Sequence, residues 1–189
     1  MLVMAGTSPG MTFNVVVASQ PTAPHRSPEM TAISQRKFLV VADDTPEFQA
    51  ALRFACRRAR STGGHVALLR VIEPEYFEHW SGVREEIERQ AREEAEAILQ
   101  SSAALVMAET GLPPEFLIKH ADSVRSALRD VIGSDPDIKI LVLAAAVGGR
   151  GPGPLVASLA KEGVTWGARK VPVTLVPGDL TDEEIADLA

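Results

Sequence analysis

The chain reads as an α/β protein built on a doubly wound, five-stranded parallel sheet with helices on both faces. Three observations carry that expectation. Short apolar runs alternate with amphipathic helical stretches, the run Ile138 to Ala146 is apolar almost throughout, and turn residues close nearly every run. Alternation of strand and helix implies parallel strands joined by right-handed crossovers. An almost wholly apolar run marks a central strand covered on both faces.

The elements follow in order. Phe38 to Ala42 is a buried strand that stops at Asp43-Asp44-Thr45-Pro46, where Thr45 suits a helix N-cap and Pro46 the first helical position. The first helix presents Phe48, Ala51, Leu52, Ala55, Cys56 and Ala59 on one face and ends at Gly63-Gly64. His65 to Ile72 is a second strand closed by Glu73-Pro74, and the aromatic group Tyr76 to Trp80 follows in a connection. From Val83 to about Met107 the spacing predicts a long helix, with Arg84/Glu88, Glu85/Arg89 and Glu88/Arg92 pairs on its solvated side. Glu115 to His120 is a third strand. Asp122-Ser123 caps a third helix carrying Val124, Leu128, Val131 and Ile132, and Asp135-Pro136 breaks it. Ile138 to Ala146 then opens into a Gly-rich turn, a helix with Leu155, Leu159 and Trp166 inward, and a fifth strand, Val171 to Val176. Pro172 points to an edge position, because proline donates nothing to an interior ladder. Thr181 to Ile185 is a capping box opening a short helix.

Residues 1–35 differ in composition, being rich in Ser, Thr, Pro, Gly and Met, and read as an N-terminal tail of disordered character. Met11 and Met30 are further candidate starts. The domain itself is expected over 36–178, with 179–189 as a C-terminal tail holding the short helix. A formal charge of -6 and a pI near 5.3 argue against nucleic acid or an anionic membrane as partner. The single Cys56, on the apolar stripe of its helix, predicts a buried structural thiol and fits a reducing cytoplasm. The histidines lack metal-ligand spacing, so no metal is expected.

Ligands of open parallel sheets sit beyond the carboxyl ends of the strands. That rule singles out Ala42, Asp43, Asp44 and Thr45 after the first strand, and Gly148, Gly149, Arg150 and Gly151 after the fourth. Asp43 is read equally as ligand contact or as the carboxylate that fixes the turn, and Asp44 chiefly as a turn residue. Glycine amides and the Arg150 guanidinium suit an anion, with Ser158 as the nearest hydroxyl. Pro152 and Pro154 remove amide donors from the same turn.

From Lys37 to about Pro177, about three quarters of the chain, these residues resemble the universal stress protein (UspA) family. The match rests on the acidic turn Ala42-Asp43-Asp44-Thr45-Pro46-Glu47, the long charged helix after the second strand, Lys119-His120-Ala121-Asp122, and the Gly-rich turn before a closing Val-Pro-Val-Thr-Leu-Val strand. The resemblance implies a Rossmann-like sheet of strand order 3-2-1-4-5, a homodimer, and a non-catalytic stress-response role. It also implies an adenine nucleotide, ATP or AMP, as ligand. Nucleotide-binding members carry Gly, two residues, Gly, nine residues, then Gly with Ser or Thr. Here Gly148 and Gly151 meet the first spacing, but Lys161-Glu162 stand nine residues on. In a second register Ala146 and Gly149 take the glycine places and Leu159-Ala160 the Gly-Ser place. Weak binding, led by Arg150, is therefore the expectation.

An exposed apolar edge is a pairing liability, so the dimer is expected through Val171, Val173 and Leu175. Two alternatives stay open. One is a receiver-like signalling domain with Asp122 as acceptor and Lys170 as its late lysine; the other is a nucleotide hydrolase on the same scaffold, for which no general base is evident.

Overall fold

A computed structural model describes residues 36–74, 81–148, 152–163 and 165–189. Strands β1 (Lys37–Val41), β2 (His65–Ile72), β3 (Glu115–His120) and β4 (Ile138–Ala145) alternate with helices α1 (Phe48–Thr62), α2 (Ser81–Thr110) and α3 (Val124–Ser134). Then follow α4 (Pro154–Glu162), the short strands β5 (Thr165–Trp166) and β6 (Arg169–Lys170), β7 (Val173–Pro177) and α5 (Asp182–Leu188). The main sheet has five strands in the order β3-β2-β1-β4-β7. All four pairings are parallel. Counting only sheet strands, this is the order 3-2-1-4-5.

Side chains alternate across the strands, and each face has its own apolar layer. Phe38, Val40, Val66, Leu68 and Val142 meet α1 and α2 through Leu52, Ala55, Cys56, Leu99 and Val106. On the opposite face, Leu39, Ala67, Leu69, Leu141 and Leu143 meet α3 and α4 through Leu128, Val131, Ile132, Val156 and Leu159. Because the chain winds outward from β1 to β3 and then returns to β4 on the other side of β1, the crevice between β1 and β4 is a topological switch point.

At the amino edge of the sheet, Lys37 Nζ lies 2.7 Å from both Glu115 Oε2 and Asp135 Oδ2. Burial lowers the Lys37 pKa, but the hydrogen bonds and charges of the two carboxylates outweigh it and the pKa ends raised. For Asp135, burial raises the pKa, while the Lys37 hydrogen bond, the Asp137 amide and the charges of Lys37 and Arg169 bring it below the ordinary carboxylate value.

Several local expectations change. Helix α1 starts at Phe48 with Glu47 at the cap position and no side-chain cap. Thr45 therefore lies two residues before the cap position, and its hydroxyl donates to Asp43 Oδ1 (2.5 Å). At the other end Gly63, at φ 64°, closes the helix as expected. Helix α2 is longer than its apolar period suggests, and Arg89 bridges Glu86 and Glu93 rather than pairing with Glu85. Trp166 is inward, but not on a helix. Gly163 ends α4, and Trp166 pairs with Arg169 in the antiparallel β5–β6 hairpin, which turns through Gly167 at φ 66°. The last sheet strand begins at Val173, not Val171, and its outer side is a sheet edge, as Pro172 foretold. Helix α3 is capped by Ser123, whose Oγ accepts the Ser126 amide (3.2 Å). The capping box of α5 forms in full, and its Ile185 is fully buried against the α1 layer. Tyr76 to Trp80 lies outside the described residues.

Candidate functional site

Strand β1 delivers the first half of the site. The Ala42 amide still donates to Leu69 O (2.8 Å), so the ladder runs one residue past β1 before the chain turns. Asp43, half-buried, then accepts the Thr45 amide (3.1 Å) and the Thr45 hydroxyl on the same oxygen, Oδ1. This folds the turn on itself, as Asp side chains do when they bond the backbone two residues on. One oxygen fixes the turn, and the second, Oδ2, lies at the carboxyl edge of β1.

Asp44 is fixed from outside the turn. Arg70 of β2 donates from Nη2 to Asp44 Oδ2 (2.8 Å) and from Nη1 to the Ala42 carbonyl (3.1 Å). Its planar fork therefore ties the end of β1 and the turn to β2, a geometry lysine cannot reproduce. The sequence reading missed Arg70. The signal was available, because Arg70 is the one arginine or lysine within His65–Ile72 and stands near the strand's carboxyl end.

The second half follows β4, the neighbour of β1. Val147 is exposed and Gly148 sits at φ 96°, a left-handed conformation that glycine adopts without strain. Gly149, Arg150 and Gly151 lie outside the described residues. Helix α4 begins with Gly153 at the cap position and Pro154 directly after it. The amides of a helix's first turn have no partner within the helix and carry the positive end of its dipole. Adjacent parallel strands thus bring Ala42 to Thr45 and Gly148 to one edge of the sheet.

Ser158 is placed by α4. It lies a turn inside α4, with its Oγ 3.5 Å from Arg125 Nη1. Arg125 also donates to Gly163 O (3.2 Å) and lies 5.9 Å from the centre of the Trp166 ring, so it fastens α3 to α4 and the hairpin. Of the proposed edge residues, Val171 is only 3% exposed and packs in the chain's own core, whereas Leu175 is 47% exposed and Val173 is half-buried. Asp122 follows β3, and β2 stands between β3 and β1. Asp43 and Asp122 are therefore two strand spacings apart, about 10 Å, and do not form the shared carboxylate cluster that a receiver domain would use. Among the described residues, no three His, Cys, Asp or Glu side chains group as a metal site. No helix among them is long and apolar enough to cross a membrane. Cys56 is fully buried; burial, with the Glu109 charge, pushes its thiol up to about 12, which excludes a reactive thiolate at neutral pH.

Comparison with solved structures agrees with this architecture. UspA from Lactobacillus plantarum superposes with a TM-score of 0.60 at 17% identity, covering 75% of this chain and 97% of that one. A universal stress protein family member from Burkholderia pseudomallei gives 0.58 at 17% identity, with 77% and 98% covered. A universal stress protein in complex with cAMP gives 0.53 at 14% identity, with 76% and 97% covered. No curated protein matches the chain. The model of the universal stress protein family matches residues 35–162, more than half of the sequence, and the chain belongs to that family.

Proposed function

We propose that this chain is a non-catalytic, homodimeric stress protein of the cytoplasm that takes an adenine nucleotide weakly as a regulatory ligand. The observation that carries the reading is that β1 and β4 are neighbours at a switch point, so that Ala42 to Thr45 and Gly148 leave the same edge of the sheet, and α4 begins at Pro154 after β4. The cAMP complex of a protein sharing the fold supports the ligand class. Ala42 to Thr45 would face the nucleoside, and Gly148 to Gly151 the phosphate, with Arg150 as its main charged contact. Ser158 would be a further contact through its hydroxyl proton, since its Oγ already accepts from Arg125 at 3.5 Å. The Val173 to Leu175 edge would pair two copies, Val171 supporting it from inside the fold.

Calorimetric titration of ATP and AMP into wild type and Arg150→Ala tests the site. Loss of a charge-assisted contact costs about 1.5 to 3 kcal/mol, roughly ten-fold or more in affinity. Wild-type binding that Arg150→Ala leaves unchanged would place the phosphate elsewhere, and no binding by wild type would remove the nucleotide from this reading.

A further inference from the structure

Behind the β1/β4 crevice, one residue touches both of its halves. The Gly178 amide donates to the carbonyl of Ala145, the last residue of β4 (2.9 Å). Its α-carbon also lies so close to the start of α1 that a Cβ there would stand 2.2 Å from Glu47 Cγ, 2.5 Å from Glu47 Cβ and 3.1 Å from Glu47 Cα. Glu47 is two residues from Thr45, and Ala145 three from Gly148. A side chain at 178 would collide with Glu47, so the position requires glycine.

The segment that follows is bound along α1. Ile185 is fully buried and Leu180 packs against the same apolar layer, Arg53 Nη1 lies 2.6 Å from Asp182 Oδ1, and Arg58 Nη1 donates to Ala189 O (3.0 Å). The Arg53 pair is too exposed to hold much by itself, so the burial of Ile185 supplies most of the attachment.

We infer that residues 178–189 form a strap that sets the β1–α1 turn against the end of β4, and so sets the affinity of the crevice for its ligand. The affinity part rests on the nucleotide reading; the strap itself does not.

The test uses full-length Gly178→Ala, Ile185→Asp and the double variant Gly178→Ala/Glu47→Gly. Glycine is tolerated at a cap position, and in the double variant it removes the two Glu47 side-chain atoms that the new Cβ meets. Hydrogen exchange by mass spectrometry should show residues 43–50 exchanging about ten-fold faster in Gly178→Ala and Ile185→Asp, with α3 unchanged and the double variant returned toward wild type. AMP affinity should fall about five- to ten-fold in the same two variants and recover in the double one. Should Ile185→Asp fail to fold, Gly178→Ala and its rescue decide alone. Unchanged exchange at 43–50 in Gly178→Ala, or exchange that Glu47→Gly fails to restore, overturns the strap. Altered exchange with no AMP binding by wild type keeps the strap and removes the ligand.

Discussion

Arg169 offers the sharpest test of how this fold is held. It stands on β6, yet its guanidinium donates to four carbonyls: Nη1 to Ile132 and to Asp135 (2.5 Å), and Nη2 to Ile138 (2.9 Å) and Pro136 (3.2 Å). Ile132 lies in the last turn of α3, where carbonyls lack a helical partner. Replacing Arg169 with Ala strands these groups. Each bond to a charged donor is worth about 1.5 to 3 kcal/mol, but one group shares them all, and the exposed Pro136 carbonyl can turn to water. A net loss of about 2 to 3 kcal/mol is expected, which for a domain of this size lowers Tm by about 4 to 12 °C. Arg169→Lys should recover less than half, since a compact ammonium reaches one or two carbonyls rather than four. Urea unfolding followed by circular dichroism measures both, with Arg89→Ala on exposed α2 as the control expected within about 0.5 kcal/mol of wild type. An Arg169→Ala loss below about 0.5 kcal/mol, or full recovery with lysine, would refute the reasoning.

Three further outcomes follow from the same structure. Asp135 is held below its ordinary value of 3.8, so its contribution is present above that value and is lost as pH falls through the lower folded one. Lys37 is held above 10.5, so its contribution is present below 10.5 and lost only as pH rises past the folded value. The stability difference between wild type and Lys37→Met should therefore stay level from about pH 5 to 9 and shrink below about pH 4; a difference that grows in acid would contradict the pairing. Native Cys56 should resist a thiol reagent at neutral pH and react only at the rate of opening, with urea restoring fast labelling. Leu175→Lys should shift sedimentation from dimer toward monomer, and a wild type that is monomeric at every concentration would remove the β7 edge as an interface.

Much of the fold was legible because it is written in short-range patterns. The apolar run Phe38 to Ala42 announced a strand, and Ile138 to Ala146 a central one, since only a strand covered on both faces dispenses with polar alternation. Ser123 and the Thr181/Glu184 box announced helix starts, because each cap closes within three residues of chain. The last strand is an edge, as expected from Pro172, although Pro172 itself lies just before it. At the site, Asp43 and Gly148 were singled out by their place just beyond the carboxyl ends of two predicted strands; that those strands are neighbours is decided by the sheet. Thr45 was misread because the sequence shows a residue fit to cap, but not that the helix starts only at Phe48, which leaves Thr45 two residues before the cap and bonded to Asp43.

What only the tertiary structure decided are contacts between groups distant along the chain. Arg70 meets Asp44 across 26 residues, Arg169 meets α3 and the start of β4 across 31 to 37, and Arg53 meets Asp182 across 129. No local period encodes such partners, because a guanidinium on a long stem can satisfy any carbonyl or carboxylate that the packed strands and helices bring within reach. Gly178 is the plainest case. In the sequence it is one glycine in a turn; in the fold it lies so close to Glu47, at the start of α1, that a side chain would collide with it.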